Sequence, residues 1–447
     1  MSMNQSVDSV FVKELFETMP DQWTGRRLKF LSRIRFSNVN KISEPDETEV
    51  RLCNYIDVYK NDHITNNLDF MKTTATDDEI ERFSLLKDDV LITKDSETAD
   101  DIGVPSYVGE TIDNLVCGYH LAILRSNEEL LGEFLFRYLQ STIAASFFEK
   151  RANGITRFSI GLDTVGSCPI IYPSKAAQLT IVSFLEKETQ RIDSLIEKKE
   201  HQIELLQEKR QAIITKAVTK GLDPSAKIKS SGVEWIPELP SHWQLLRAKN
   251  LFYEVDERSL SGDEELLSVS HLTGVSKRSE KQVNMFMAET LEGYKKCQKN
   301  DLVINTMWAW MGAIGVASET GIVSPSYNVY RFRSASLYPS FYDLLVRVPP
   351  FVKEVGCFSK GVWTSRLRLY PEEFFSILLP VPPYKEQVSI VDSIQTETGN
   401  YYRLQTKLNC SIELLQEYRS SLISAAISGQ IDVSKFSNGA RRNATLQ

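Results

Sequence analysis

No stretch of this sequence approaches the roughly 18–20 uncharged apolar residues that a bilayer crossing needs. Its first twenty residues, MSMNQSVDSVFVKELFETMP, carry acids early and no basic-then-apolar signal pattern, so a cytoplasmic protein with no membrane contact is expected. The six cysteines, Cys53, Cys117, Cys168, Cys297, Cys357 and Cys410, lie far apart and form no C-x-x-C pair, which argues against a disulfide framework or a zinc finger. The phosphate-cradling pattern G-x-x-x-x-G-K-[ST] and the G-x-S-x-G nucleophile turn are both missing. None of the five histidines makes the H-x-x-x-H spacing that points two imidazoles at one metal. Glu197 and Lys199 resemble a fragment of a nuclease metal site, but no Pro-Asp strand precedes them and a solvated ion pair explains them better. A Gly-rich loop with an Asn-Pro-Pro-aromatic motif, as an amino methyltransferase would need, is also missing. These absences point to a recogniser rather than a catalyst.

What is present is ordinary globular material: 447 residues, 42% apolar and 25% charged, enough for two to four domains. Lys and Arg number 52 against 59 Asp and Glu, a net charge of −7, which excludes an evenly basic coat but not a local basic face.

The chain repeats itself. PDQWTGRRLKF (20–30) matches PSHWQLLRAKN (240–250) at a shift of 220, with Pro20/Pro240, Trp23/Trp243, Arg27/Arg247 and Lys29/Lys249 in step. IELLQEKRQAIITKAVTKGLD (203–223) matches IELLQEYRSSLISAAISGQID (412–432) at a shift of 209. Softer echoes lie between: KDDVLIT (87–93) with KNDLVIN (299–305), GYHLAIL (118–124) with SYNVYRF (326–332), and GITR (154–157) with WTSR (363–366). Each half runs from a Pro-x-x-Trp entry through a variable segment to a long helical pattern. The frame is kept and its contents are diversified.

In the first helical pattern Val182, Leu185, Thr189, Ile192, Ile196, Lys199, Ile203, Leu206, Arg210, Ile213 and Ala217 recur at alternating steps of three and four. In the second, Val391, Ile394, Thr398, Tyr401, Gln405, Leu408, Ile412, Leu415, Arg419, Leu422 and Ala426 do the same. That is a coiled-coil stripe over about five heptads, and two helices of equal length and matching pattern are natural partners. At 1.5 Å per residue, roughly 40 residues give a rod of roughly 60 Å. The variable segments mix short β runs with turns and with helical stretches such as 129–148. The expected architecture is α+β: two pseudo-repeated globular domains separated by two long helices. The boundaries are 1–172 for the first domain, 173–220 for the central helix, 221–240 for a Pro-, Gly- and Ser-rich linker, 241–382 for the second domain, 383–430 for the C-terminal helix and 431–447 for a tail.

Two similar modules on a rigid rod suit a target with two separated features, such as DNA half-sites at a fixed spacing. The Pro-x-x-Trp entries, SGVEWIPELPSHW (231–243), KDSETADDIGVP (94–105), INTMWAWMGAIGV (304–316) and the twin IELLQE helices together resemble the specificity subunit of a type I restriction–modification system, over roughly residues 10–432. The resemblance implies two target-recognition domains, each reading one half of a bipartite, asymmetric site in double-stranded DNA. It implies that the helices form an antiparallel coiled coil that sets the gap and docks two modification subunits. Those subunits would use S-adenosylmethionine to methylate an adenine flipped from each half-site. Restriction subunits would use ATP and Mg to translocate and cut. The chain itself would be non-catalytic and hold no cofactor. Two alternatives stay open: a stand-alone bipartite DNA-binding protein, and a coiled-coil scaffold that binds no nucleic acid.

Candidate DNA contacts follow from local charge. Residues 22–43 hold Arg26, Arg27, Lys29, Arg33, Arg35 and Lys41 and no acid, a surplus suited to phosphate or to a merely solvated face. The aligned pairs Thr156–Arg157 and Ser365–Arg366 set a hydroxyl beside a guanidinium, a phosphate anchor beside a bidentate base reader. Lys150, Arg151, Lys360 and Arg368 surround them. Lys94 opens the 94–105 run, and Lys277, Arg278 and Lys281 form a further basic cluster. Trp308, Trp310 and Trp363 are candidates to stack in a groove, although tryptophan more often fills a core. Against this, residues 77–113 hold twelve acids and three bases. Such a stretch should repel phosphate unless it faces solvent, faces a partner or accepts from a cytosine amino group. The helix positions Ile192, Ile196, Ile203, Leu206, Ile213, Tyr401, Leu408, Ile412, Leu415 and Leu422 are the expected coiled-coil and partner contacts.

Overall fold

The computed structural model describes residues 3–280, 290–361 and 367–433, with side chains from residue 11 onward. The fold mixes helices and strands, and the chain divides into two units, Met1–Lys199 with Cys410–Gln447, and Glu200–Asn409. Each unit therefore takes a segment from both long helices, Lys175–Lys220 and Tyr384–Ile427.

In the first unit a five-stranded sheet has the order Ser32–Phe36, Leu121–Ser126, Asp89–Thr93, Pro105–Val108, His63–Ile64. Asp89–Thr93 (DVLIT) is buried at every position, as a central strand covered on both faces must be. It pairs antiparallel with Leu121–Ser126, Val90 opposite Leu124 and Ile92 opposite Ala122. A three-stranded sheet, Met71–Ala75, Thr48–Cys53, Leu115–Cys117, stands over a second apolar cluster. The region expected to be helical over 129–148 forms two helices, Gly132–Leu139 and Thr142–Glu149. Between them the Ser141 hydroxyl donates to Tyr138 O, a local bond that competes with continuing the helix.

The second unit repeats the plan with a four-stranded sheet ordered Phe252–Val255, Tyr327–Phe332, Leu302–Asn305, Ile314–Val316. The expected linker at 221–240 needs correction. It folds as a hairpin, Ile228–Ser230 paired with Glu238–Pro240, and Trp235, Ile236 and Leu239 are buried in this unit's core. Its Pro, Gly and Ser residues punctuate a turn rather than a flexible connection.

The long helices are anchored in these cores. In the first unit Ile181, Val182 and Leu185 share a cluster with Ile423, Ala426 and Ile427. In the second, Ile214, Ala217 and Val218 share one with Ile390, Val391 and Ile394. The start of one helix meets the end of the other in both units, so the paired segments run antiparallel. Along the stripe Ile192 and Ile412 are buried, while Ile196, Ile203, Leu206, Ile213, Tyr401, Leu408, Leu415 and Leu422 are half-buried. Near the end of the central helix Ile214, not Ile213, takes the buried place. A straight helix drifts against a strict heptad, and the core there lies on the next face. Of the expected tail, Ile431 and Val433 still pack on the first unit's cluster, being apolar, and 434–447 lie outside the described residues.

Each helix ends on a left-handed glycine, Gly221 (φ 75°) and Gly429 (φ 74°). A Cβ at Gly429 would meet Pro20 Cγ at 2.6 Å, and one at Gly221 would meet Trp243 Cζ2 at 3.3 Å. The Pro-x-x-Trp entries are thus the seats of the helix ends.

Candidate nucleic-acid interface

The frame that carries the variable loops is built twice. Thr24–Arg27 pairs with Pro169–Tyr172, and Gln244–Arg247 pairs with Leu378–Val381. Before the central strand of each unit a non-glycine residue sits in the left-handed region, Asp88 (φ 73°) and Asn300 (φ 74°), a conformation that Asp and Asn tolerate. The next residue is a buried aspartate gripped by an arginine through two bonds: Arg125 on Asp89 at 2.7 and 2.7 Å, and Arg331 on Asp301 at 2.9 and 3.0 Å. At the foot of each long helix a buried glutamine ties it to its unit, Gln178 in the first and Gln387 in the second.

The two aligned loops are closed in the same way. Asn153 and Ser159 exchange backbone bonds of 3.0 and 2.9 Å, and Lys360 and Arg368 exchange bonds of 2.9 Å each. In the first loop Thr156 and Arg157 are exposed. They line an open cleft of about 460 Å³ with Tyr55, Tyr59, Asp95 and Asp101. Arg157 Nη2 stands 3.3 Å from His120 Nδ1, which lies 2.6 Å from Asp95. Tyr55 and Tyr59 stack at 5.4 Å, and the Tyr59 hydroxyl donates to Asp101 at 2.8 Å, which pushes its own pKa up. His120, Tyr55 and Tyr59 were invisible in the charge pattern, because only folding brings them to the loop. In the second loop Trp363, Ser365 and Arg366 lie outside the described residues, as does Lys281.

The other basic candidates divide. Arg27 and Lys29 are exposed and line an open cleft of about 440 Å³ with Asp163. Arg26 is paired with Glu129 at 3.0 Å, and Glu129 also accepts from the Tyr172 hydroxyl. Arg35 donates to Arg82 O at 2.6 Å, and burial together with neighbouring Arg33 lowers its pKa. Lys94 lies 5.6 Å from the Phe36 ring, half-buried. Arg151 is turned onto Phe147, its guanidinium 3.8 Å from the ring and donating to Phe147 O. Lys277 is held by Glu319 at 3.0 Å, and Lys360 by Glu373. Arg278 is half-buried beside Lys277. The charge surplus read along the chain is thus partly spent on carboxylates that are remote in sequence.

The acidic stretch 77–113 has the opposite fate. Asp77, Asp78 and Glu79 open a helix, with Glu79 closing a capping box on Thr76. Asp88 accepts from the Tyr107 hydroxyl, Asp89 holds Arg125, Asp95 holds His120 and Asp101 holds Tyr59. Asp78 also pairs with Arg82 and Glu110 accepts from Asn66 N–H, so seven of its twelve acids are tied into the fold by side-chain hydrogen bonds or ion pairs. In the second unit Trp308 and Trp310 stack at 6.4 Å, with Trp308 half exposed beside exposed Met307 and Met311.

Residues 20–205 match the family model described as the type I restriction modification DNA specificity domain. This chain carries the DNA specificity domain of type I restriction–modification systems. The fold of this chain is also similar, over 93% of its length, to a chain solved to explain the complex assembly and conformational transition of the type I R-M system. That chain is covered in full, at a TM-score of 0.65 and 16% identity. The HsdS subunit from Thermoanaerobacter tengcongensis matches at 15% identity and a TM-score of 0.47, over 92% of this chain and 98% of its own. The type I S subunit from M. genitalium matches at 14% and 0.34, over 92% and 96%. The first of these likenesses shows a shared fold. No curated protein matches this chain in sequence. Among the described residues no cluster of three or more His, Cys, Asp or Glu side chains is placed to hold a metal ion, and no helix is long and apolar enough to cross a membrane.

Proposed function

We propose that this chain is a DNA specificity subunit of a type I restriction–modification system and reads a bipartite, asymmetric site in double-stranded DNA, one half with each unit. The long helices fix the gap between the halves and dock two modification subunits. The chain supplies the address and no chemistry, and it acts in the cytoplasm. S-adenosylmethionine serves the modification subunits, which methylate an adenine in each half-site. ATP and Mg serve the restriction subunits. The observation that carries this reading is a frame built twice from matching parts, the Asp–Arg pair, the glutamine at the helix foot and the bridged loop, around loops whose side chains differ. A repeated frame with diversified loops is what two independent readers on one chain require.

Co-purification with the modification subunit, followed by adenine-methylation mapping, tests it. The expected result is one split motif, two short half-sites with a constant gap. A stable complex that methylates nothing in the presence of S-adenosylmethionine overturns it.

At residue level, Arg157→Ala should weaken binding about tenfold or more, and only to DNA carrying the first unit's half-site, since one bidentate base contact carries ~1–3 kcal/mol of discrimination. Electrophoretic mobility shifts on cognate and scrambled duplexes measure this. Equal loss on both would make Arg157 a phosphate anchor, and no loss would remove it from the interface.

A further inference from the structure

The duplicated frame differs at the arginine that the two long helices share, Arg419 and Arg210. In the first unit Arg419, on the C-terminal helix, is 22% exposed and bridges two carboxylates. Its Nη2 donates to Asp62 at 2.6 Å, and its Nε lies at ion-pair distance, 2.9 Å, from Asp193. The counterpart of Arg419 at the shift of 209 is Arg210, and the counterpart of Asp193 is Tyr402. Arg210 is exposed and, among the described residues, has no ion pair or hydrogen bond. It lines an open cleft of about 780 Å³ in the second unit with Arg347, His271, Leu272, Tyr402 and Gln405. None of the residues lining that cleft is Asp or Glu.

We infer that this cleft is a docking socket for a carboxylate carried by the modification subunit. The inference rests on the subunit reading above and names where one such partner is held. The first unit shows which chemistry sits on this arginine: an aspartate at 2.6 Å. One copy fills the place from its own chain, and the other leaves it open. Protein fits the cleft better than DNA. A duplex presents about one charge per 1.7 Å and asks for many cations. Only two arginines line the cleft, and Arg347 already holds Asp343 at 3.7 Å and donates to Leu272 O. Leu272 and Tyr402 are 75% and 73% exposed. An arginine flanked by open apolar and tyrosyl surface is the composition of a protein-binding hot spot.

The test titrates the modification subunit into the full-length chain and reads affinity and stoichiometry by calorimetry, with binding to a cognate duplex measured in parallel. Arg210→Gln removes the cation. Tyr402→Asp gives Arg210 an internal carboxylate, as Asp193 gives Arg419. Both positions are exposed, so melting temperatures should not change. The unmodified chain should take two equivalents. Each variant should take one equivalent unchanged and the other about tenfold more weakly. Two unaltered equivalents in both variants would overturn the inference while leaving the subunit reading intact. Loss of duplex affinity with unaltered subunit binding would assign the cleft to phosphate and overturn it too. Failure of the unmodified chain to bind the subunit at all would overturn the subunit reading and this inference with it.

Discussion

Arg331→Leu should cost the second unit about 3–5 kcal/mol, the usual consequence of leaving a buried carboxylate without its counter-charge. The Asp301 side chain is 3% exposed. It accepts two bonds from Arg331 and a third, at 2.8 Å, from the backbone N–H of Gln298. That third bond fixes the turn entering Leu302–Asn305, a strand buried at every position. Domains are stable by only ~5–15 kcal/mol, so the loss is a large share of the unit's stability. Urea unfolding should show an early transition from the second unit, and methylation mapping should show the second half-site lost first. Glu257 gives the control. It stands 3.7 Å from the same arginine but is 57% exposed, so Glu257→Gln should change stability by less than about 1 kcal/mol. A cost below about 1 kcal/mol for Arg331→Leu would mean that the carboxylate finds water or another donor. Arg125→Leu should repeat the effect in the first unit, where Asp89 is fully buried.

Why the sequence displayed the frame and hid the sites follows from the range of the interactions involved. The long helices were legible because a stripe such as Ile192, Ile203, Ile412 and Leu422 is a local periodicity that burial then follows. The pair KDDVLIT and KNDLVIN was legible as an echo, and it proves to mark the left-handed turn and buried aspartate of each unit. The hairpin at 221–240 was misread because turn residues were counted, while Trp235 and Leu239 between them were not. Charge runs left part of the picture out for a different reason. Arg26, Lys277 and Lys360 are answered by Glu129, Glu319 and Glu373, at sequence separations where no local pattern reports a partner. The cleft at Arg157 depends likewise on Tyr55 and His120, which loop geometry alone brings near. The difference between Arg210 and Arg419 was concealed by their identity: the residues match, and what they touch does not.

Gln178→Leu and Gln387→Leu should each cost about 3 kcal/mol and, if the helices measure the gap, should blur it. Each glutamine is fully buried and makes three bonds with one amide. Gln178 donates to Glu129 O and Pro173 O at 2.9 Å each and accepts from Leu131 N–H at 2.9 Å. Gln387 donates to Ser336 O at 3.1 Å and Pro382 O at 2.8 Å and accepts from Tyr338 N–H at 2.7 Å. Leucine keeps the volume and removes the partner of three backbone groups at each site, one of them, Pro173 O or Pro382 O, in a buried bond, where an unpaired group costs ~1–3 kcal/mol, and two in half-buried bonds. The two sites share no partner, so their costs should add in the double variant. The functional consequence is separable from the stability cost. These amides tie the first turn of each long helix to the segment that leads into it and to a loop of the same unit, so they fix how a helix leaves its reader. A ruler loosely held at its ends measures badly. Methylation mapping of either variant, at a temperature where it stays folded, should then show the same half-sites joined by neighbouring gap lengths as well as the original one. A single unchanged gap at reduced stability would confine the glutamines to holding the fold together and place the ruler elsewhere in the chain.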